Sequence, residues 1–348
     1  MKIGIITNNL QREGTDLVSA LDENMLMIRH ARDRGWDSFM AAQHYLYDGD
    51  VVQLQQVPFL ARMQAEAGEM TMGVAIHLLP LMNPVLTAET MATLDVIARG
   101  NFVFAVGLGY RDVEYDAFGV PRGQRVKRFE EVLAVVKRLW TEDEVSFESP
   151  YCKLDKVRLN LRPVQQPHPP IWIAANHDNA VRRAARLGDC WYINPHATVD
   201  TNRRQLALYA EELRRVGRPF PTEVPCRKEI FCARDFRTAV EMAGPYLSEK
   251  YRLYTRWGQD KEMPEGERLD LPFEELLKDR FIIGSPEDCY EQLRPYWEQM
   301  GVNHFVFRVA QIGMPVSVAL HAMRMISDEL LPALRRVRVP PLAEIVAA

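Results

Sequence analysis

Short apolar runs alternate with amphipathic stretches along almost the whole chain. The runs are Lys2–Thr7, Ser38–Ala42, Thr71–Ile76, Phe102–Gly107, Ile171–Ala175, Cys190–Asn194, Lys228–Ala233 and His304–Val309. Each is too short for a buried helix and bounded by turn residues, so each predicts a strand. Helical periodicity fills the intervals at Asp22–Arg34, Pro58–Glu69, Val85–Arg99, Arg122–Trp140, Ala180–Leu187, Thr201–Val216 and Pro286–Met300. One more helical stretch, Val316–Leu334, follows the last strand. Eight strand–helix units predict an α/β fold, a (β/α)8 TIM barrel with insertions. An open doubly wound sheet competes. It usually has fewer strands and a glycine fingerprint after the first, whereas here the first strand ends Thr7-Asn8-Asn9.

Two stretches are too long for plain connections. Residues 144–170 carry Pro150, Pro163, Pro167, Pro169 and Pro170 and predict a small hairpin plus an extended approach to the fifth strand. Residues 244–280 are polar but hold Tyr246, Tyr251, Tyr254 and Trp257, the composition of a lid or pocket wall. The Leu108–Gly123 loop is a third long connection. The prediction is a single domain over residues 1–338 and a loose tail over 339–348.

The 348 residues are 47% hydrophobic and 26% charged, with a formal net charge of −4, so nothing points to nucleic acid. No apolar run approaches the ~18 residues of a membrane helix. The chain starts directly on a strand, without the pattern of a secretory signal, and the expected location is cytoplasmic. The five cysteines form no C-x-x-C pair and are read as reduced, packed thiols.

Candidate chemistry gathers at strand ends, where a barrel places its active site. The third strand runs into Pro80 and Pro84, and the fourth into Gly107-Leu108-Gly109. Both let backbone lie close to a flat ligand. Gly107-Leu108-Gly109 is not a dinucleotide fingerprint, because Asp112 stands where its third glycine belongs. His44, between Gln43 and Tyr45, ends the second strand; it is either a proton donor and acceptor or a hydrogen-bonded rim residue. After the fifth strand, Asn176, His177, Asn179 and Ala180 open a helix whose N-terminus suits a phosphate. Asp178 is either a ligand neighbour or the cap of that helix. A metal-dependent barrel hydrolase is the opposing class, but Thr7-Asn8-Asn9 offers no ligand and His44, His77, His177, His196 and His304 are scattered.

The strand-Pro-x-x-x-Pro-helix-strand-Gly-x-Gly pattern over residues 71–109 resembles that of the bacterial-luciferase-like flavin-dependent oxidoreductases. Glu114-Tyr-Asp-Ala-Phe-Gly119 looks like the family's acid-x-x-x-Phe-Gly turn. Arg128-Phe-Glu-Glu131, Ala185-Arg-Leu-Gly-Asp-Cys-Trp191 and Gly284-Ser-Pro-Glu287 are similar to further family motifs. Where the family usually carries Glu-His-His, this chain has Gln43-His44-Tyr45, so the resemblance makes His44 the catalytic residue with an amide in place of the acid. The resemblance also implies flavin contacts at Ala75, Ile76, Gly107, Leu108, Asn176, His177, Asn179 and Ala180, and a cis peptide at Ala75–Ile76. Arg128 reaches the flavin phosphate or, equally, makes a salt bridge between helices. The implied activity is oxygenation of a small organic substrate by dioxygen and reduced FMN, supplied by a separate flavin reductase to a homodimer. Two alternatives stand: hydride transfer with a deazaflavin, and a flavin-binding barrel without activity.

Overall fold

The computed structural model describes residues 1–47 and 49–347. Nine parallel strands form its main sheet: β1 Lys2–Ile6, β2 Ser38–Ala41, β3 Thr71–Leu78, β4 Phe102–Gly107, β5 Ile171–Ala174, β6 Cys190–Tyr192, β7 Pro225–Cys232, β8 Phe281–Gly284 and β9 His304–Arg308. Their order is β6-β5-β4-β3-β2-β1-β9-β7-β8, a curled α/β sheet. Eight of the nine match the sequence expectation. β8 does not, because its four apolar residues sit between a polar insertion and Pro286 and are too short to read by periodicity. It pairs only with the carboxyl half of β7, from Glu229↔Phe281 to Cys232↔Gly284.

The sheet is not laced into a continuous ring of strand pairs. Between β6 and β7 there is one isolated parallel bridge, Ile193↔Cys226, with Ile193 N–H donating to Pro225 O and Arg227 N–H to Ile193 O.

Helices cover the outer face, and their apolar stripes form one large core with the outward residues of the strands. The inward residues form a separate cluster: Ile6, Met40, Val103, Ala105, Trp172 and Val306, with Ala75 and Tyr192. These side chains fill the amino-terminal part of the interior, so open space exists only toward the carboxyl ends of the strands. Near the amino-terminal ends, Ser38 Oγ lies 2.8 Å from His304 Nε2, and His304 Nδ1 lies 3.0 Å from Glu223 Oε1. Lys2 Nζ completes the chain at 2.9 Å from the same carboxylate.

The insertions differ from expectation in one respect. The predicted hairpin is present as the antiparallel pair Val145–Ser149 and Cys152–Val157. The polar segment, however, does not begin at residue 244, because a helix runs from Phe236 through Pro245 to Arg256. Its buried positions Ala239, Ala243, Leu247, Tyr251 and Tyr254 keep helical spacing across the proline. The irregular part is therefore 257–280, with short turns at Gln259–Glu262 and Phe273–Leu276. The tail is not wholly loose either: a turn at Leu342–Ile345 packs beside Gly301 with Leu342 buried, while residue 348 lies outside the described residues. No described helix is long and apolar enough to cross a membrane.

Candidate functional site

The carboxyl ends of β2 to β6, with Arg227 from β7, surround a cleft of about 1010 Å³, open solvent included. One wall is built from small and apolar groups on three neighbouring strand ends: Ala75 and Ile76, Leu108 and Gly109, Ala174 and Ala175. The peptide between Ala75 and Ile76 is cis, where the resemblance places it. The β3–β4 register shifts between Val74 and His77 at the same place. Gly107 does not line the cleft. A Cβ there would lie 2.2 Å from Ile76 Cδ1, so this glycine makes room for Ile76 and not for a ligand.

His44 stands in the opposite wall. Its Nδ1 lies 3.0 Å from Glu114 Oε1, and the same oxygen accepts the Tyr45 N–H at 2.7 Å. The expectation that an amide replaces the family's acid is therefore corrected. Gln43 turns away, its Oε1 accepting the Gln56 N–H at 2.7 Å, and the carboxylate arrives from a position seventy residues later. Glu114 has no solvent exposure, and its Oε2 has no hydrogen-bond partner. The Leu108–Gly123 loop delivers it on a short helix, Asp112–Ala117. Arg111 anchors that loop by donating to Tyr45 O at 2.6 Å and Leu46 O at 2.9 Å, while Tyr115 donates to Leu108 O. A loop that crosses from β4 thus fixes both the backbone and the ring of the β2 histidine. The rings of Tyr110 and Trp257, at 5.2 and 5.8 Å, flank the imidazole.

At the far end, Asn176, His177 and Ala180 line the cleft as expected, but Asn179 is exposed and outside it. The helix that begins here is Asp178–Leu187. His177 is its N-cap and gives no capping hydrogen bond, while Asp178 is held by Arg204 at 2.6 Å. Asp178 is thus neither cap nor cleft residue. Arg128 is also elsewhere: its guanidinium sits 4.1 Å over the Tyr151 ring. The arginines at this end are Arg122 and Arg125, which sequence reading missed because nothing local distinguishes them on a basic helix start. They hold Glu262, from the 257–280 segment, at 2.7 and 3.3 Å, and His177 Nε2 lies 3.6 Å from the same carboxylate. Burial alone would raise the Glu262 pKa; His177, Arg125 and Arg122 outweigh it and lower it.

The floor is polar. Tyr192, Asn194, His196 and Arg227 line it. Burial pushes the His196 pKa down to about 3, so this imidazole stays neutral. The Tyr192 hydroxyl and Arg227 Nε are buried without hydrogen-bond partners. Among the described residues, no group of three His, Cys, Asp or Glu side chains is arranged to hold a metal ion.

The residues present suit a flavin. An apolar wall lies between a rim of Arg122, Arg125, His177 and Glu262 with an uncapped helix start and a histidine backed by a carboxylate. Comparison with known proteins gives the family and the fold. A family model described as luciferase-like monooxygenase matches residues 1–304. The monooxygenase RslO1 from Streptomyces bottropensis superposes with a TM-score of 0.84 at 22% identity, covering 96% of this chain and 99% of that one. The oxygenating constituent of 3,6-diketocamphane monooxygenase from Pseudomonas putida, solved with FMN, gives 0.79 at 19% identity over 98% and 99% of the two chains. An F420-dependent secondary alcohol dehydrogenase gives 0.76 at 19% identity over 96% and 99%.

Proposed function

The chain belongs to the luciferase-like monooxygenase family, and from that premise we propose that it is an FMN-dependent monooxygenase acting on a small organic substrate. The observation that carries this reading is the His44–Glu114 pair in the wall of the cleft at the strand ends. Reduced FMN and dioxygen, when bound, supply the oxygen-transfer chemistry. The chain supplies the rest. Arg122, Arg125, His177 and the amides at the start of Asp178–Leu187 hold the phosphate, in place of the Glu262 carboxylate. Ala75, Ile76, Leu108, Gly109, Ala174 and Ala175 flank the ring system.

Glu114 engages Nδ1 of His44, which leaves Nε2 to give or take a proton in the cleft. Trp257 and Tyr254 help exclude water above it. The reading includes closure of the sheet into a barrel through the Ile193–Cys226 bridge, a separate flavin reductase, a homodimer and a cytoplasmic location.

A second reading, hydride transfer with a deazaflavin, is favoured by the same pair, since a histidine backed by a carboxylate can protonate a carbonyl as hydride arrives. Equilibrium titration with FMN and with F420 separates the two. FMN binding, followed by dioxygen-dependent product formation with a flavin reductase present, supports the monooxygenase. Binding of F420 alone overturns it. FMN binding with no oxidation across a broad substrate panel assigns a flavin-binding module without activity.

A further inference from the structure

Arg227 projects from β7 into the floor of the cleft with only 13% of its side chain exposed. Its ion pair with Glu229 Oε1 is long, at 3.4 Å, the Tyr254 hydroxyl also bonds its guanidinium, and its Nε is buried with no acceptor among the described residues. The same Glu229 Oε1 makes a close contact with Lys250 from the Phe236–Arg256 helix, its Oε2 is buried without a partner among the described residues, and its residue lies opposite Arg308 of β9 in the strand register. Arg308 is itself buried, and its acceptors among the described residues are Ala310 O at 3.3 Å and Asn8 Oδ1 at 3.5 Å.

Two guanidiniums, which do not give up their protons, therefore share one carboxylate. Burial lowers the Lys250 pKa; even with Lys250 neutral, the group Arg227, Arg308, Glu229 keeps one positive charge in excess. A buried charge without a counter-charge is unfavourable unless something brings the missing one. Tyr192 lines the same cleft, and its hydroxyl is also buried and, among the described residues, unpartnered.

We infer that Arg227 and Tyr192 form an oxyanion subsite, so that the substrate carries a carboxylate or a similar anionic oxygen group. This rests on the flavin reading for the word substrate, since the far rim of the cleft is already assigned to the cofactor phosphate. The planar guanidinium fork suits a two-oxygen anion, and the Tyr192 O–H can donate to one of its oxygens. Asn194 and the neutral His196 flank the subsite without opposing charge.

The probe pair is benzoate and its uncharged analogue benzamide, titrated against the full chain and followed by tryptophan fluorescence. Benzoate is expected to bind at least about ten-fold more tightly than benzamide. Arg227→Gln should abolish that preference, and Arg227→Lys should restore part of it, because it keeps the charge but loses the fork. Circular dichroism of each variant checks that it is folded; Arg227→Lys serves as the readout if Arg227→Gln is not. Equal binding of the two probes, failure of benzoate to bind, or a preference that survives in both variants overturns the inference. FMN titration runs in parallel. Displacement of benzoate by FMN, with weaker FMN binding in Arg227→Gln, assigns the charge to the cofactor and also overturns it. Arg227-dependent benzoate binding in a chain that binds no FMN keeps the subsite and removes the flavin reading instead.

Discussion

His44 illustrates how a site residue can be legible while its chemistry is not. Its position at the end of a strand marks it, but residue 43 is glutamine, and local reading leaves the imidazole without an acid. The acid is Glu114, brought from another loop at 3.0 Å. The sequence held it only as one letter of a turn motif, because a contact across seventy residues has no local signature. If His44 moves a proton, His44→Ala lowers turnover by roughly 10²-fold or more while FMN affinity changes little. Glu114→Gln should lower turnover less and displace the pH–rate profile, a readout that a purely structural role would leave in place. Intact turnover in His44→Ala removes the assignment. The phosphate end gives the converse case. The loop after the fifth strand was readable from its helix start, whereas the resemblance pointed to Arg128 and left Arg122 and Arg125 unmarked, because a helical repeat does not say which side faces the cleft. His177→Asp adds a negative charge beside Glu262 and a dianionic phosphate. It should weaken FMN by ~1 kcal/mol or more, about five-fold in Kd. Unchanged affinity moves the phosphate elsewhere.

At the scale of elements, what repeats was readable and what departs from the repeat was not. Eight strands and their helices follow from short apolar runs separated by amphipathic ones. β8 escaped because four residues carry no period. The Phe236–Arg256 helix was not among the predicted ones, and Gly244-Pro245 was read as the start of an insertion; an interior proline costs about 3 kcal/mol in an isolated helix. Burial of Ala239, Ala243, Leu247, Tyr251 and Tyr254 on one face outweighs that cost. The segment that remains, 257–280, is short turns and loop, and it touches the cleft through Trp257, Gln259 and Glu262. Without ligand its amides should exchange with solvent faster than those of β4, and FMN should slow them. Equal protection of 257–280 and Phe102–Gly107 in the absence of ligand would show that this segment is no lid.

For the whole molecule, the amino-terminal ends of the strands carry a stabilising pair that responds to acid. Burial tends to raise the Glu223 pKa, but His304 and Lys2 outweigh it and bring it down to about 2. A depressed carboxylate stabilises the fold fully above its unfolded value, near 4.5, and that contribution disappears as pH falls toward 2. The shift sets an upper bound on the order of 3 kcal/mol. Denaturant unfolding at pH 6 and pH 3 should show a larger loss for the native chain than for Glu223→Gln; equal losses would place the acid sensitivity elsewhere. With Ser38 added and Lys2 left aside, this group has another consequence. Serine, imidazole and carboxylate are wired in the order used by hydrolases, and a geometric template would score Ser38–His304–Glu223 as a nucleophilic triad. Ser38 is completely enclosed, with Gly4 pressed against its hydroxyl so closely that a Cβ there would lie 2.0 Å from Oγ. No acyl group can reach it. A fluorophosphonate should leave this serine unlabelled in the folded chain, a reminder that a triad is defined by the room in front of its nucleophile as much as by the bonds behind it.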